Sequence, residues 1–451
     1  MIRETTSIPT IEIPLKVGVI GTGHVGLITS VTLAAMGHDV VGVDSDVEKI
    51  ERLQRGEAPF FEPGLQELLD SASGGQHISF STEIAAGVVD REVVFISVGT
   101  PPRETGEANL VAVEDAAREV ARAATRDLVV VEKSTVPAGT AERIRRTIAL
   151  ERPDAPFEIE VVSNPEFLRE GTAIEDSLRP DRILIGADSP RGYAVMRRIY
   201  QGSIDAGSPV IETDIRTAEL AKHASNAFLA LKISYANGLA RICERTGADV
   251  VAIAEVMGSD PRIGRAFLDA GLGYGGFCFP KDLDAFERLA NEANYEFPLI
   301  REIQRLNDEA VVAAFQKVRE GLWNIEGKRV ALLGLAFKPG TDDIRFSPAL
   351  ALGRRLLAEG ATVIGYDPQA MPGAKDDVPD LEVALDPYSA IMGVHCAVVC
   401  TEWEEFKRLD LDMVKEQMAY PLIVDGRNVF DPHEMRTRGF TYLPTGRPPV
   451  L

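Results

Sequence analysis

Residues 16–44 read KVGVIGTGHVGLITSVTLAAMGHDVVGVD, and the order of residue types in that stretch sets the architecture of the chain. Lys16–Ile20 is rich in β-branched residues and predicts a strand. GTGHVG (21–26) follows it at once and opens an apolar helix through Met36, which Gly37 ends. Val40–Val43 is then a second strand that closes on Asp44. Strand, glycine loop, helix, strand and terminal carboxylate together form a dinucleotide-binding fingerprint; the glycine pattern alone would be weak evidence. Gly21 makes the turn, Gly23 admits a pyrophosphate, and Gly26 lets the helix sit close to the sheet. The start of the helix offers amide donors and the positive end of its dipole to phosphates. A carboxylate at Asp44 accepts from a ribose 2′-hydroxyl and repels a 2′-phosphate, so the expected cofactor is NAD rather than NADP.

Outward from this unit the same grammar continues. Val93–Val98 and Leu128–Glu132 are further strand-like runs, each followed by a loop and a helical pattern. Their loops, FISVGTPP (95–102) and VEKSTVPAG (131–139), place Thr100 and Thr135 where ligands of a parallel sheet lie. From Glu212 to about Arg245 apolar residues recur at helical spacing without a proline, long enough for a connecting helix. Past Lys328 the alternation restarts with KRVALLGLAF (328–337), a helix near Pro348–Glu359, ATVIGYD (361–367), CAVVCTEW (396–403) and PLIVDGRN (421–428). VALLG…GATVIGYD echoes VGVIG…GHDVVGVD. The expected fold is α/β, with two Rossmann-like, doubly wound parallel-sheet domains joined by a long central helix. Its expected divisions are a polar arm at 1–14, an NAD-binding domain at 15–211, a central helical domain at 212–310, and a third domain at 311–451.

Composition narrows the function. Lysine and arginine number 48 against 69 acidic residues, a net charge of −21, which argues against nucleic acid as a partner. No apolar run reaches the length of a membrane span, and the N-terminal residues show no signal-peptide core. Four scattered cysteines, Cys243, Cys278, Cys396 and Cys400, make no disulfide framework and point to a reducing cytoplasm. Cys396 and Cys400 beside His395 lie in an apolar run without further ligands, so no metal site is expected.

Two stretches carry the chemistry. Glu219, Lys222, His223 and Asn226 share one face of the predicted long helix. Such a stripe is ordinarily a solvated face, yet this helix continues as apolar Ala227–Leu231 and is expected to be buried. Lys222 and Asn226, one turn apart, form a cation and amide pair suited to a developing oxyanion. SNPEFLREG (163–171) adds Glu166 and Glu170, which share a face if that run is helical and then suit a water-activating pair. The second stretch, GYGGFCFPKD (273–282), sets Cys278 in a glycine-rich loop with Lys281 and Asp282 close behind. A lone cysteine is usually a small buried hydrophobe. Packing does not need glycines, a lysine and an aspartate around it, whereas a nucleophilic thiolate is favoured by a neighbouring cation.

GTGHVG, NPEFLREG, ELAKHASNAFLALKISYAN and GYGGFCFPKD, occurring along the chain in the family's order, resemble the UDP-glucose/GDP-mannose dehydrogenase family from Lys16 to about Pro432. The resemblance implies an N-terminal NAD domain, a C-terminal UDP-sugar domain, and a central helix that also forms a dimer interface. It implies oxidation of a sugar C6 alcohol to a carboxylate in two NAD-dependent steps through a covalent thioester. Cys278 then matches the nucleophile, and Lys222 and Asn226 the pair that stabilises oxyanions, with Lys222 also a candidate base. Asp282 and Thr135 match positioners of the catalytic water, and Glu166 matches a general acid/base. Gly21, Gly23, His24, Val25, Gly26, Asp44, Lys49, Thr100, Thr135, Glu170 and Arg345 match cofactor-side positions. Phe167, Leu168, Lys222, Asn226, Arg262, Gly275, Phe279 and Lys338 match substrate-side positions, Arg262 being one the family can donate from a neighbouring subunit and Arg345 also a cationic contact to the sugar nucleotide. FFEPGL (60–65) matches a segment behind the cofactor, with Glu62 as its carboxylate. The chain departs from the family at His24, where tyrosine is common, at Phe277, where serine or tyrosine is frequent, and at Phe346, where glutamate is usual.

Within the family, the DPRIG…FCFPKD spacing favours UDP-glucose, giving UDP-glucuronate, over GDP-mannose or a UDP-N-acetylhexosamine. A single-step β-hydroxyacid dehydrogenase would share the helix and the lysine but need no cysteine. A non-catalytic NAD-sensing protein would need neither.

Overall fold

The computed structural model describes residues 8–101, 103 and 107–451. Residues 1–7 of the expected arm and Pro102 of the FISVGTPP loop lie outside them. By packing the chain forms two units, one running to Ser225 and taking in Asp284–Glu292, the other made of Asn226–Leu283 and Ala293–Leu451.

The first unit is built on eight strands: β1 (Lys16–Ile20), β2 (Asp39–Val43), β3 (Ile78–Ser81), β4 (Val93–Ile96), β5 (Leu128–Glu132), β6 (Ile159–Ser163), β7 (Ile183–Gly186) and β8 (Val210–Thr213). Their order is β3-β2-β1-β4-β5-β6-β7-β8. Neighbours pair in parallel except β6 and β7, which meet antiparallel at Ser163 and Gly186. Val17 of β1 faces Val40 on one side and Val93 on the other, so the strand order reverses at β1. A crevice opens at the carboxyl ends of the strands at such a reversal, and the glycine loop begins there. Strands β1, β4 and β5 are apolar and buried on both faces, as a sheet covered by helices on each side must be. The helix His24–Met36 ends as expected at Gly37, whose φ of 109° frees its amide for Ala34 and Leu33.

The second unit repeats this plan with β9 (Arg329–Leu333), β10 (Thr362–Tyr366), β11 (Glu382–Val383), β12 (Cys396–Val399), β13 (Leu422–Asp425) and β14 (Thr441–Pro444). The order is β11-β10-β9-β12-β13-β14, all parallel. Alternate residues of β9 feed two separate cores, Val330 and Leu332 on one face, Ala331 and Leu333 on the other.

A single helix, Ile215–Thr246, runs 32 residues and passes from the first unit into the second between Ser225 and Asn226. It starts three residues later than its periodicity predicts. Glu212 belongs to β8, and Asp214 stops the strand by accepting from the Thr217 amide at 3.0 Å and the Thr217 hydroxyl at 2.6 Å. Among the described residues no helix is long and apolar enough to cross a membrane.

Candidate active site

In the first unit the glycine loop has the shape the fingerprint requires. Gly21 sits at φ 93°, and a Cβ on it would meet the Ser97 carbonyl oxygen at 2.7 Å. A Cβ on Gly26 would lie 1.8 Å from the Gly21 carbonyl oxygen. Gly23 differs: nothing lies within 4 Å of the Cβ it lacks, so its side faces open space that a pyrophosphate can enter. Val25 lies in the first turn of the helix His24–Met36. At the end of β2 one oxygen of Asp44 takes the Thr22 amide (2.8 Å), the Thr22 hydroxyl (3.1 Å) and the Lys49 ammonium (3.0 Å), and the other takes the Asp46 amide (3.0 Å). Burial pushes the Asp44 pKa up, but donation from Asp46, Thr22 and Lys49 outweighs it and leaves the carboxyl below its usual value. An ionised carboxylate fixed beside open phosphate space fits NAD.

Around this cradle, side chains distant in sequence are tied together. Glu62 is buried and accepts from the amides of Gly171 (2.8 Å) and Ala173 (2.7 Å), which joins FFEPGL to the end of NPEFLREG. His24 lies 3.5 Å from Glu62 and 4.9 Å, centroid to centroid, from Phe60. The run 163–171 is not helical, which corrects the idea of Glu166 and Glu170 as a helical pair. Pro165 removes an amide donor and steers Asn164 away from helical angles. Glu166 turns its own carboxylate onto the Leu168 amide at 2.6 Å, and Glu170 is half-buried. Glu166 meets Lys222 at 2.9 Å, both nearly fully buried, and Lys222 stands 5.3 Å from the Phe167 ring. Arg182 also stacks on Phe167, at 3.8 Å. Beneath them the Lys133 ammonium and the Tyr200 hydroxyl both donate to Asn164 Oδ1, at 3.0 and 2.6 Å. The Thr100 hydroxyl donates to the Thr135 carbonyl at 3.0 Å.

In the second unit Cys278 is the first residue of a helix, Cys278–Glu292, rather than a loop residue, and is half-buried. A helix start and a lysine one turn on are surroundings of the kind that favour a thiolate. Lys281 pairs with Asp282 at 2.9 Å, and the Asn226 amide donates to the other Asp282 oxygen at 2.6 Å. The glycines before the cysteine let backbone approach backbone. A Cβ on Gly275 would lie 2.4 Å from the Phe346 carbonyl oxygen, and Gly276, at φ 75°, donates its amide to the Arg345 carbonyl at 2.8 Å. Phe279 packs edge-on to Tyr274 at 5.8 Å. Arg345 forms a bidentate pair with Asp343 (2.8 and 2.6 Å) and stacks on Phe277 at 4.6 Å, while Phe346 is exposed. Lys338 stands over Phe337 at 5.4 Å. Arg262 pairs with Asp260 at 2.6 Å while 87% exposed. Cys396 is fully buried, which pushes its thiol up to about 12, and burial raises Cys400 likewise.

Sequence reading missed Lys133, Asn164 and Tyr200, which form one network. Glu219 and His223 were visible only as part of a stripe. Lys133 and Asn164 stood inside quoted motifs, but nothing local named their partners.

An NAD cradle on a doubly wound sheet, a buried lysine–glutamate pair and a thiol beside an amide-held aspartate define an NAD-dependent oxidoreductase. Family profiles described as UDP-glucose/GDP-mannose dehydrogenase family match in three parts: NAD binding domain at 15–204, central domain at 216–309 and UDP binding domain at 331–432. The chain is 45% identical to a UDP-glucose 6-dehydrogenase of Rhizobium meliloti over 438 residues, 96% of this chain and 100% of that protein. It is 41% identical to UDP-glucose 6-dehydrogenase YwqF of Bacillus subtilis, covering 97% and 99%. A solved UDP-glucose dehydrogenase from Pyrobaculum islandicum superposes with a TM-score of 0.89 at 38% identity, covering 97% of this chain and 98% of that one. The chain belongs to the UDP-glucose/GDP-mannose dehydrogenase family.

Proposed function

We propose that this chain oxidises the C6 alcohol of UDP-glucose to the carboxylate of UDP-glucuronate through a covalent intermediate on Cys278. The observation that carries the four-electron reading is Cys278 itself, at a helix start four residues before Asp282, where a two-electron dehydrogenase needs no thiol. The sugar follows from the full-length likeness to UDP-glucose 6-dehydrogenases.

NAD, when bound, accepts one hydride in each of two rounds. The chain's residues do the rest. Gly21, Gly23, His24, Val25 and Gly26 hold the pyrophosphate and Asp44, steadied by Lys49, the ribose; Thr100 and Glu170 line the cofactor side. Phe167, Leu168, Gly275, Phe279 and Lys338 would hold the sugar nucleotide, Arg345 would serve both cofactor and sugar nucleotide, and Arg262 would reach the site of a second copy. Lys222 takes the alcohol proton as the first hydride leaves. The Cys278 thiolate then adds to the aldehyde carbon, and the resulting alkoxide is stabilised by Lys222 and Asn226. Loss of the second hydride from that thiohemiacetal leaves a thioester. Water placed by Thr135 and Asp282, with Glu166 taking its proton, attacks the acyl carbon; the C–S bond breaks and the thiolate returns. One alcohol, two NAD and one water give one carboxylate, two NADH and three protons.

Self-association is part of the proposal. Phe228, Tyr235 and Ile242 recur every seventh residue on the long helix and are 61%, 53% and 58% exposed, an apolar stripe that a second copy would cover. A reducing cytoplasm suits an enzyme whose nucleophile is a free thiol.

The test counts NADH formed per sugar consumed across a panel of nucleotide sugars. Two per UDP-glucose is expected; one would move the chain to the single-step class, and preference for GDP-mannose or a UDP-N-acetylhexosamine would reassign the substrate. Cys278→Ser should lower steady turnover on the order of a thousandfold or more; normal turnover by that variant would sink the covalent route.

A further inference from the structure

Two residues on the polar face of the long helix have no part in the reaction above, Glu219 and His223, each 1% exposed. Both reach the segment that carries Thr135. Glu219 accepts the Gly139 amide at 2.5 Å and the Ala141 amide at 2.8 Å, which caps the helix Thr140–Glu151. His223 Nε2 lies 2.8 Å from the Val136 carbonyl oxygen; a carbonyl only accepts, so that nitrogen carries the proton. The His223 ring stacks on Phe286, 6.4 Å between centroids at 26°. With the Thr100 hydroxyl on the Thr135 carbonyl, backbone groups at 135, 136, 139 and 141 are all fixed by side chains. The Thr135 hydroxyl, by contrast, makes no hydrogen bond among the described residues and remains available to a ligand.

A buried carboxylate is a costly way to hold a loop that apolar packing could also hold. What it adds is direction, because amide-to-carboxylate bonds fix position within a few tenths of an ångström. Lys222, between the two on the same helix, is the residue proposed to stabilise the oxyanion. One helix face therefore carries a reacting cation and the clamps on the water-placing segment.

We propose that Glu219 and His223 are positioning residues that set where the Thr135 hydroxyl stands, and that they govern hydrolysis of the Cys278 thioester rather than hydride transfer. The inference deepens the proposed function and rests on it. Bonds to backbone leave the alcohol-oxidising groups untouched, so damage should fall on the step that uses the placed water.

The experiment mixes enzyme with UDP-glucose and NAD and follows the NADH burst, the steady rate, and the mass of the acid-quenched protein. Glu219→Gln keeps the size but leaves one amide facing an NH₂ group; His223→Ala removes the donor, and His223→Gln can restore it. Glu219→Gln and His223→Ala should each slow the steady rate roughly tenfold to a hundredfold, the cost of about an ångström of misplacement. Their bursts should stay within about threefold of the parent, acyl-enzyme should accumulate, and His223→Gln should recover much of the loss. Combined with Thr135→Ala, Glu219→Gln should add little further loss. Equal slowing of burst and steady rate, additivity with Thr135→Ala, or no accumulated acyl-enzyme would overturn the assignment. Failure of both single variants to fold would also overturn it, since a positioning residue must be dispensable for folding. One NADH per sugar in the parent enzyme would instead count against the proposed function.

Discussion

At Asp44 a single carboxylate feels opposed forces. Burial favours its neutral form, while two amides and an ammonium favour the charged one and win. Because its pKa is depressed in the folded protein, its contribution to stability is complete above the ordinary carboxylate value near 3.8 and is lost as pH falls below it. At neutral pH it is a fixed anion. Asp44→Asn should therefore weaken NAD binding by about tenfold and bring NADP closer to NAD as a substrate. The ratio of kcat/KM for the two cofactors checks this, and an unchanged ratio would contradict the role. Asp44 and the three glycines were legible because they lie within one stretch of chain and local rules govern each. Glu62 and Lys133 were less so: their hydrogen-bond partners stand 109 and 31 residues away, and only tertiary folding pairs them.

The two sheets show how an element can be repeated while its chemistry is not. Asp367 ends β10 as Asp44 ends β2, and the sequence echo made that match visible. Yet Asp367 accepts the amides of Leu335, Ala336, Gln369 and Ala370 as well as the Trp403 indole N–H, and it is 1% exposed. Two of these amides lie in the loop after β9 and two in the loop after β10, and the carboxylate is buried where Asp44 is part-exposed, so it serves its own loops rather than a ribose. That difference depends on the path of a loop, which periodicity does not report. Another join between elements lies at His38. It is fully buried; Nδ1 accepts the Leu15 amide at 3.1 Å just before β1, and Nε2 meets the Ile199 carbonyl at 3.1 Å at the end of the helix Pro190–Ile199. Burial lowers its pKa below 6.5, only partly countered by Ile199. The unfolded chain then binds the proton more readily, so stability is complete above about pH 6.5 and falls as pH drops toward the folded value. Thermal melts from pH 7.5 to 5.5 should show this, with His38 contributing up to about 1.4 kcal/mol per pH unit. His38→Gln can keep both hydrogen bonds without a titrating group and should flatten the slope; an identical slope would remove His38 as its source.

For the whole molecule, the doubly wound class was readable from alternation alone, and the three-part family match agrees with it. The sevenfold recurrence of Phe228, Tyr235 and Ile242 belongs to this scale because its meaning lies outside one chain. Sedimentation velocity should give the mass of at least two chains for the parent and of one chain for Phe228→Glu combined with Tyr235→Glu. A parent that sediments as a single chain would end the self-association proposal.

Passage between the units also bears on how such proteins can be recombined. The chain crosses at Ser225–Asn226, at Leu283–Asp284 and at Glu292–Ala293; the first two crossings fall inside helices, Ile215–Thr246 and Cys278–Glu292, and the third at the end of the latter. There is no linker at either of the two crossings within helices where a graft could be stitched. A chimera that took its cofactor half from one relative and its sugar half from another would join unlike sequences in mid-turn, beside Lys222 and Asn226 at one seam and Asp282 at the other. Exchange of parts among relatives must respect helix register there, so cofactor preference and sugar preference are expected to be inherited together rather than shuffled as separate cassettes.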